Sequence, residues 1–243
     1  MLVPFRKYAV GYDWMIPGGF AAMVEPYLPT VKEVFFSWPG MVSGRNIQLE
    51  KSVEESIEQL VADLAWCRKN GVEFDLLFNA NCYGEEAFTE ILREQVYDVM
   101  EELGRRGLFP EIVTTTSQYI AKVLKIRYPQ VEIRASVNMK LESTKAMEYI
   151  SDIFDSFYIC RDIQKDRNVL KHFSDWCNAH GKKLCMRSST AVAFAVAPCR
   201  YGVTTTSATS LGRRRSRCSF SIIPTGSADE FRNARTRREK SSA

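Results

Sequence analysis

Histidine is nearly missing from this chain: there are two in 243 residues, His172 and His180. That scarcity leaves no two-His metal motif, and it leaves an exposed cysteine or serine without an obvious base beside it in sequence. Seven cysteines occur without a C-x-x-C pair. Residues 1–20 hold no apolar run long enough for a signal peptide, and no later segment approaches a membrane span. The cysteines therefore read as reduced, mostly buried thiols, and the expected location is cytoplasmic, with no membrane partner. A Walker loop and a G-x-S-x-G elbow are also lacking, and no Gly-rich turn follows the first strand, which argues against phosphate-loop, hydrolase-elbow and dinucleotide-binding chemistry.

What is present falls into two unlike parts. Residues 1–187 hold 23 Lys and Arg against 26 Asp and Glu, whereas residues 188–243 hold 10 against 3. The net charge of +4 is thus the sum of an acidic body and a strongly basic tail. With 45% apolar residues, the chain has enough to bury a sizeable core.

Within the body, short apolar strands alternate with amphipathic helices. The strand candidates are residues 8–12, 31–37, 74–78, 111–115, 132–137, 156–160 and 183–186. Most are β-branched or aromatic and read as apolar on both faces, as parallel strands between a helical layer and a barrel core should. Ser52-Val-Glu-Glu55 is a capping box, and Asn70-Gly71 supplies the matching stop. Val53, Ile57, Leu60, Val61 and Leu64 mark the buried face of that helix. Phe88, Ile91, Leu92, Val99, Met100 and Leu103 mark that of the next, which ends at Gly104 or Gly107. Ser117, Ser143 and Asp166 are expected N-caps. Val169, Leu170, Phe173, Trp176 and Cys177 form the last buried stripe, closed by His180-Gly181. The first helix, near residues 20–27, is the weakest, with Pro26 and Pro29 at its end. The expected fold is α/β, an incomplete TIM-like (β/α) barrel with seven recognisable strands, followed by a disordered basic tail. A doubly wound open sheet is the rival, disfavoured by the missing phosphate turn and the repeat count.

In such a barrel, ligands meet the C-terminal ends of the strands. Those positions hold Asp13, Trp14, Trp38, Asn79, Asn81, Cys82, Thr115, Thr116, Ser136, Asn138, Arg161, Asp162 and Arg187. The ring is rich in amides. The ligand-binding candidates are Asn79, Asn81, Ser136, Asn138, Arg161 and Arg187, with the two arginines able to clamp a carboxylate or phosphate of a small anionic ligand. Packing and surface ion pairing are the plain alternatives for Trp14, Trp38 and the Arg161–Asp162 couple. Cys82 is a possible nucleophile, but no His lies in a mouth loop to activate it. Cys160 and Cys185 lie on neighbouring strands and read as buried thiols. An aldolase-type barrel would want a Lys at a strand end for a Schiff base, and none of these strands ends in one.

Four segments resemble the collagenase-like peptidase family U32, whose members are β/α barrels. Phe78-Asn-Ala-Asn-Cys-Tyr-Gly-Glu-Glu86 is similar to that family's Leu-Asn strand end with its following Asn-Glu-Glu helix start. Glu111-Ile-Val, leading to Tyr128-Pro129, falls where the family has an Ile-Val strand, a helix and a Tyr-Pro turn. Ile133-Arg-Ala-Ser-Val-Asn-Met139 resembles its His-Ala-Ser-Thr-Gln-Met strand, and Tyr158-Ile-Cys-Arg-Asp162 its Leu-Ala-Arg-Glu strand end. The resemblance covers about residues 70–187. It implies a U32-like domain over residues 1–187, with protease-labelled relatives and others that act as oxygen-independent hydroxylation factors. The latter carry cysteines after strand seven that hold an iron–sulfur centre, a [4Fe-4S] cluster in intact relatives. Here residue 187 is followed by Ser-Ser-Thr-Ala-Val-Ala-Phe-Ala-Val-Ala-Pro198, so no cofactor is expected in this chain as read, and the copy is expected to be inactive.

The tail, residues 188–243, contains 17 Ser and Thr and the run Arg213-Arg-Arg-Ser-Arg217. It reads as disordered, as an out-of-frame translation after codon 188, or, in the alternative functional reading, as an RNA-binding arm. Loss of an eighth strand would leave two open sheet edges and favour self-association.

Overall fold

The computed structural model describes residues 8–45, 51–187 and 220–222. Seven parallel strands curl round in sequence order: β1 (Tyr8–Gly11), β2 (Val31–Phe36), β3 (Glu73–Phe78), β4 (Ile112–Thr115), β5 (Glu132–Ala135), β6 (Ser156–Tyr158) and β7 (Lys183–Arg187). The intervening helices are α1 (Phe20–Val24), α2 (Val53–Lys69), α3 (Glu90–Arg105), α4 (Gln118–Arg127), α5 (Thr144–Glu148) and α6 (Arg167–Ala179). This is the α/β barrel architecture that the strand–helix repeat implies.

A short eighth strand, β8 (Phe220–Ile222), differs from the repeat. It runs antiparallel between β1 and β7, with Ala9 opposite Ser221 on one side and Met186 opposite Ile222 on the other. The two edges that the sequence left open are therefore bridged by three residues from beyond position 187. The remainder of the tail lies outside the described residues. So do the readings that fall on it: disorder, a shifted frame, and an RNA-binding arm.

The capping chemistry is realised as read. Ser52 accepts from the Glu55 backbone while the Glu55 carboxylate accepts from the Ser52 backbone, and Gly71 takes the left-handed conformation (φ 73°) just past the end of α2. The hydroxyls of Ser117 and Ser143 and the carboxylate of Asp166 cap α4, α5 and α6. The buried face of α3 is corrected. Phe88 is 80% and Ile91 59% exposed, because Thr89 caps the helix and the stripe starts one turn in, at Leu92, Val96, Val99, Met100 and Leu103. Val53 likewise lies on the outside of α2, whose buried line is Ser56, Leu60, Leu64 and Cys67.

Alternation along the strands separates two environments. Val10, Val34, Phe36, Phe74, Leu76, Phe78, Val113, Ile133 and Phe157 face the helices in one large apolar core. The opposite face lines the barrel. Its upper layer is apolar, with Ala9, Phe35 and Leu77 packed together. Its lower layer overturns the expectation of strands apolar on both faces: Glu33, Asp75 and Arg134 are all 1% exposed or less. Charge is tolerated there because the groups neutralise one another.

Candidate functional site

The C-terminal mouth is built from the strand ends and the segment that follows β2. Ser37, just past β2, shares a hydrogen bond with Ser43 (2.6 Å), and the Ser43 hydroxyl donates to Asn79 Oδ1 (2.9 Å). The Gly44 backbone donates to that same oxygen (3.0 Å), and Asn138 Nδ2 donates to the Asn79 backbone carbonyl (3.1 Å). Ser136 holds Asn138 in turn by accepting from its backbone N–H. Asn79, Ser136 and Asn138 are thus brought together, and their first task is to clasp residues 43–45 over the mouth. The fit is close: a Cβ on Gly44 would come within 2.5 Å of both Asn138 Nδ2 and the Asn79 carbonyl.

The clasp delivers a cation that sequence reading missed. The Arg45 guanidinium lies over the Phe35 ring, 5.2 Å from its centroid, and its Nη1 sits 2.4 Å from where a Gly11 Cβ would be. Only a glycine at the end of β1 leaves room for it. The other candidates are spread out. Asn81 and Cys82 are exposed beyond β3, where Cys82 Sγ accepts from the Gly84 backbone, and Arg161 and Asp162 are exposed past β6. Arg187 ends β7, but its side chain lies outside the described residues. Trp38 is packed in the core and Trp14 stacks edge-on to Tyr12, so both indoles serve packing. His172 lies on α6 and bonds Thr144 at the start of α5, and His180 caps the C-terminus of α6 and bonds the Trp176 carbonyl.

Below the mouth lies the second polar assembly. Arg134 reaches into the barrel from β5 and bonds Glu33 (2.7 and 3.4 Å), Asp75 (3.2 Å) and Glu132 (3.0 Å). Thr114 donates to Asp75 Oδ2 (2.8 Å), Ser156 to Glu132 (2.6 Å), and Lys183 reaches the other Glu132 oxygen (2.6 Å) from the rim. Burial and then the neighbouring Glu33 push the Asp75 carboxyl up to about 7 against the pull of Arg134. Glu132 goes the other way. Burial would raise it, but Arg134, Lys183 and Ser156 outweigh that and hold it at about 2. Burial pushes the Cys185 thiol up to about 12, which makes it a poor nucleophile. The sequence did carry a signal for this layer. The third residue of β2, of β3 and of β5 is charged, and the strand register places all three on the inner face.

Cys67, Cys160, Cys177 and Cys185 are buried free thiols, and among the described residues no group of three or more His, Cys, Asp or Glu could hold a metal ion. The described residues do not fit an iron–sulfur cluster. Among them, too, no helix is long and apolar enough to cross a membrane.

No protein-family model and no curated protein sequence matches this chain. Among solved structures it is similar to the U32 peptidase Mk0906, with a TM-score of 0.52 and 11% identity over 64% of this chain. The match spans 60% of that peptidase's own length. An α-amylase from Lactobacillus plantarum aligns over 69% of this chain and 57% of its own, with 10% identity and a TM-score of 0.38. At these identities the likeness is one of fold: the chain is a curled β/α barrel of the shape a U32 peptidase adopts.

Proposed function

We propose that this protein is a U32-like barrel of the enzyme class whose C-terminal mouth binds a small anionic, hydrogen-bonding ligand. The observation that carries this reading is the clasp of Ser37, Ser43, Asn79 and Asn138. It gathers amide and hydroxyl groups from the ends of three strands and seats the Arg45 guanidinium on Phe35, beside Gly11 at the end of β1. Arg161 on the rim adds a second cation, suited to a carboxylate or phosphate. The U32 resemblance in residues 70–187 and the shared barrel shape favour the same face, since ligands of such barrels meet the strand C-termini. Binding ranks ahead of peptide hydrolysis because one histidine lies on α6 and the other caps its end, and Cys82, an exposed thiol beyond β3, bonds the Gly84 backbone and no His among the described residues. The free buried thiols suit a reducing compartment such as the cytoplasm.

The test is a calorimetric titration with short dicarboxylates, phosphate and sulfate, run on the wild-type chain and on Arg161→Ala, Arg45→Ala and the distant surface variant Arg105→Ala. The expected result is saturable binding of at least one anion, weakened about tenfold by either mouth substitution, as loss of a charge-assisted contact predicts. Equal affinity across all four proteins, or no saturable binding, would overturn the proposal. A parallel assay of peptide hydrolysis decides whether protease chemistry accompanies binding.

A further inference from the structure

Within the lower layer of the barrel, formal charge does not balance. Two cations, Arg134 and Lys183, face three carboxylates, Glu33, Asp75 and Glu132. Both oxygens of Glu33 meet Arg134, and both oxygens of Glu132 are occupied by Arg134, Ser156 and Lys183. Asp75 is the odd member. Its Oδ2 accepts from Thr114 and Arg134, but its Oδ1 is buried with no hydrogen-bond partner among the described residues.

An unpartnered oxygen in a sealed interior costs far more as part of a carboxylate than as part of a neutral acid. A proton on Asp75 Oδ1 therefore restores neutrality with the fewest unmet demands. We propose that this cluster is a pH-sensitive lock on the barrel. One proton, held by Asp75, lets the three strands β2, β3 and β5 close on Arg134, and its loss loosens them.

Among the described residues, Asp75 is faced from the surrounding strands. β2 brings Glu33; β4 brings Thr114, which cannot titrate; β5 brings Glu132 and Arg134; β6 brings Tyr158; and β7 brings Lys183 and Cys185. β1 turns Ala9 and Gly11 toward the interior, with Tyr8 on its other face, and the residues of β8 are Phe220, Ser221 and Ile222, so neither strand adds an inward-facing titratable group. On β3 itself Glu73 sits at the strand start, paired with Lys32. Tyr158 and Cys185 are both pushed up by burial, so neither adds a further negative charge near neutral pH. The upward displacement of Asp75 to about 7 puts the release point in the physiological range.

The experiment uses the full chain. Amide hydrogen exchange is followed at about pH 6 and about pH 8.5 after correction for intrinsic rates, alongside the isosteric, permanently neutral Asp75→Asn. In the wild type, protection in β2, β3 and β5 is expected to fall about tenfold at the higher pH, while α4, outside the cluster, holds. In Asp75→Asn the difference should vanish. Equal behaviour of the two proteins, or uniform loss across all elements, would overturn the lock. Should Asp75→Asn not fold, infrared spectroscopy of the wild type decides. A buried protonated-carboxyl band that disappears between the two pH values is expected, and its absence at the lower pH would overturn the proposal.

Discussion

Arg134 concentrates more of the interior's electrostatics than any other side chain. It is fully enclosed and bonds three carboxylates from β2, β3 and β5 itself. Arg134→Met removes the cation and leaves buried negative charge unpaired. Such a loss costs about 3–5 kcal/mol, measurable as a lower midpoint in urea. Arg134→Lys should rescue little, because a single ammonium cannot bridge several carboxylates as the planar fork does. Glu132 sets the acid limit. Its folded value, about 2, lies below the ordinary 4.5, so its contribution to stability is complete above about 4.5 and drains away as pH falls toward 2. Asp75 acts in the opposite sense. Its raised value makes its contribution complete below the ordinary carboxylate range and lost as pH rises through about 7. Thermal melts across pH should trace both limbs, and Glu132→Gln should flatten the acidic one. Gly11→Ala is the steric counterpart. Its new methyl would meet Arg45 and Phe35 at 2.4–2.8 Å, at a cost of about 1–3 kcal/mol of overpacking.

The elements behave as local chemistry dictates, and that made them readable. The strand boundaries inferred from apolar runs lie within two residues of the observed ones, and every helix cap expected of Ser52, Ser117, Ser143 and Asp166 is formed. Ser52→Ala should cost about 1 kcal/mol in denaturant, since it removes the hydroxyl that accepts from the Glu55 backbone N–H and leaves only the Glu55 carboxylate half of the capping box. Less legible was the face of α3, where Phe88 was counted into a helix that begins at Glu90. A period counted from the wrong start displaces the stripe. Phe88→Ser should accordingly shift stability by no more than about 0.5 kcal/mol. Of the site, Asn79, Ser136 and Asn138 could be found by position alone, because they sit at strand ends. Arg45 and Ser43 could not, and the lower layer showed only as a charged third residue in each of β2, β3 and β5. Their meaning depends on which residues become neighbours across the barrel, and a linear sequence does not hold that information.

At the scale of the molecule, closure rests on a small element. β8 contributes three residues, yet it stands between β1 and β7 and leaves neither edge bare. Ser221→Pro removes a backbone donor from the middle of that bridge. Light scattering should then report concentration-dependent self-association, since β1 and β7 would regain unpaired edges. The same bridge has a consequence in time. Every other pairing in the sheet joins consecutive strands, whereas Tyr8 meets Ile222 from almost the opposite end of the chain. Bringing such distant segments together carries a loop-closure entropy that neighbouring βα units do not. The seven parallel strands can assemble stepwise from the ribosome outward, but the ring closes only after residue 222 has been synthesised. Until then the nascent barrel is an open curl, and its exposure to wrong partners is longest while it is being made.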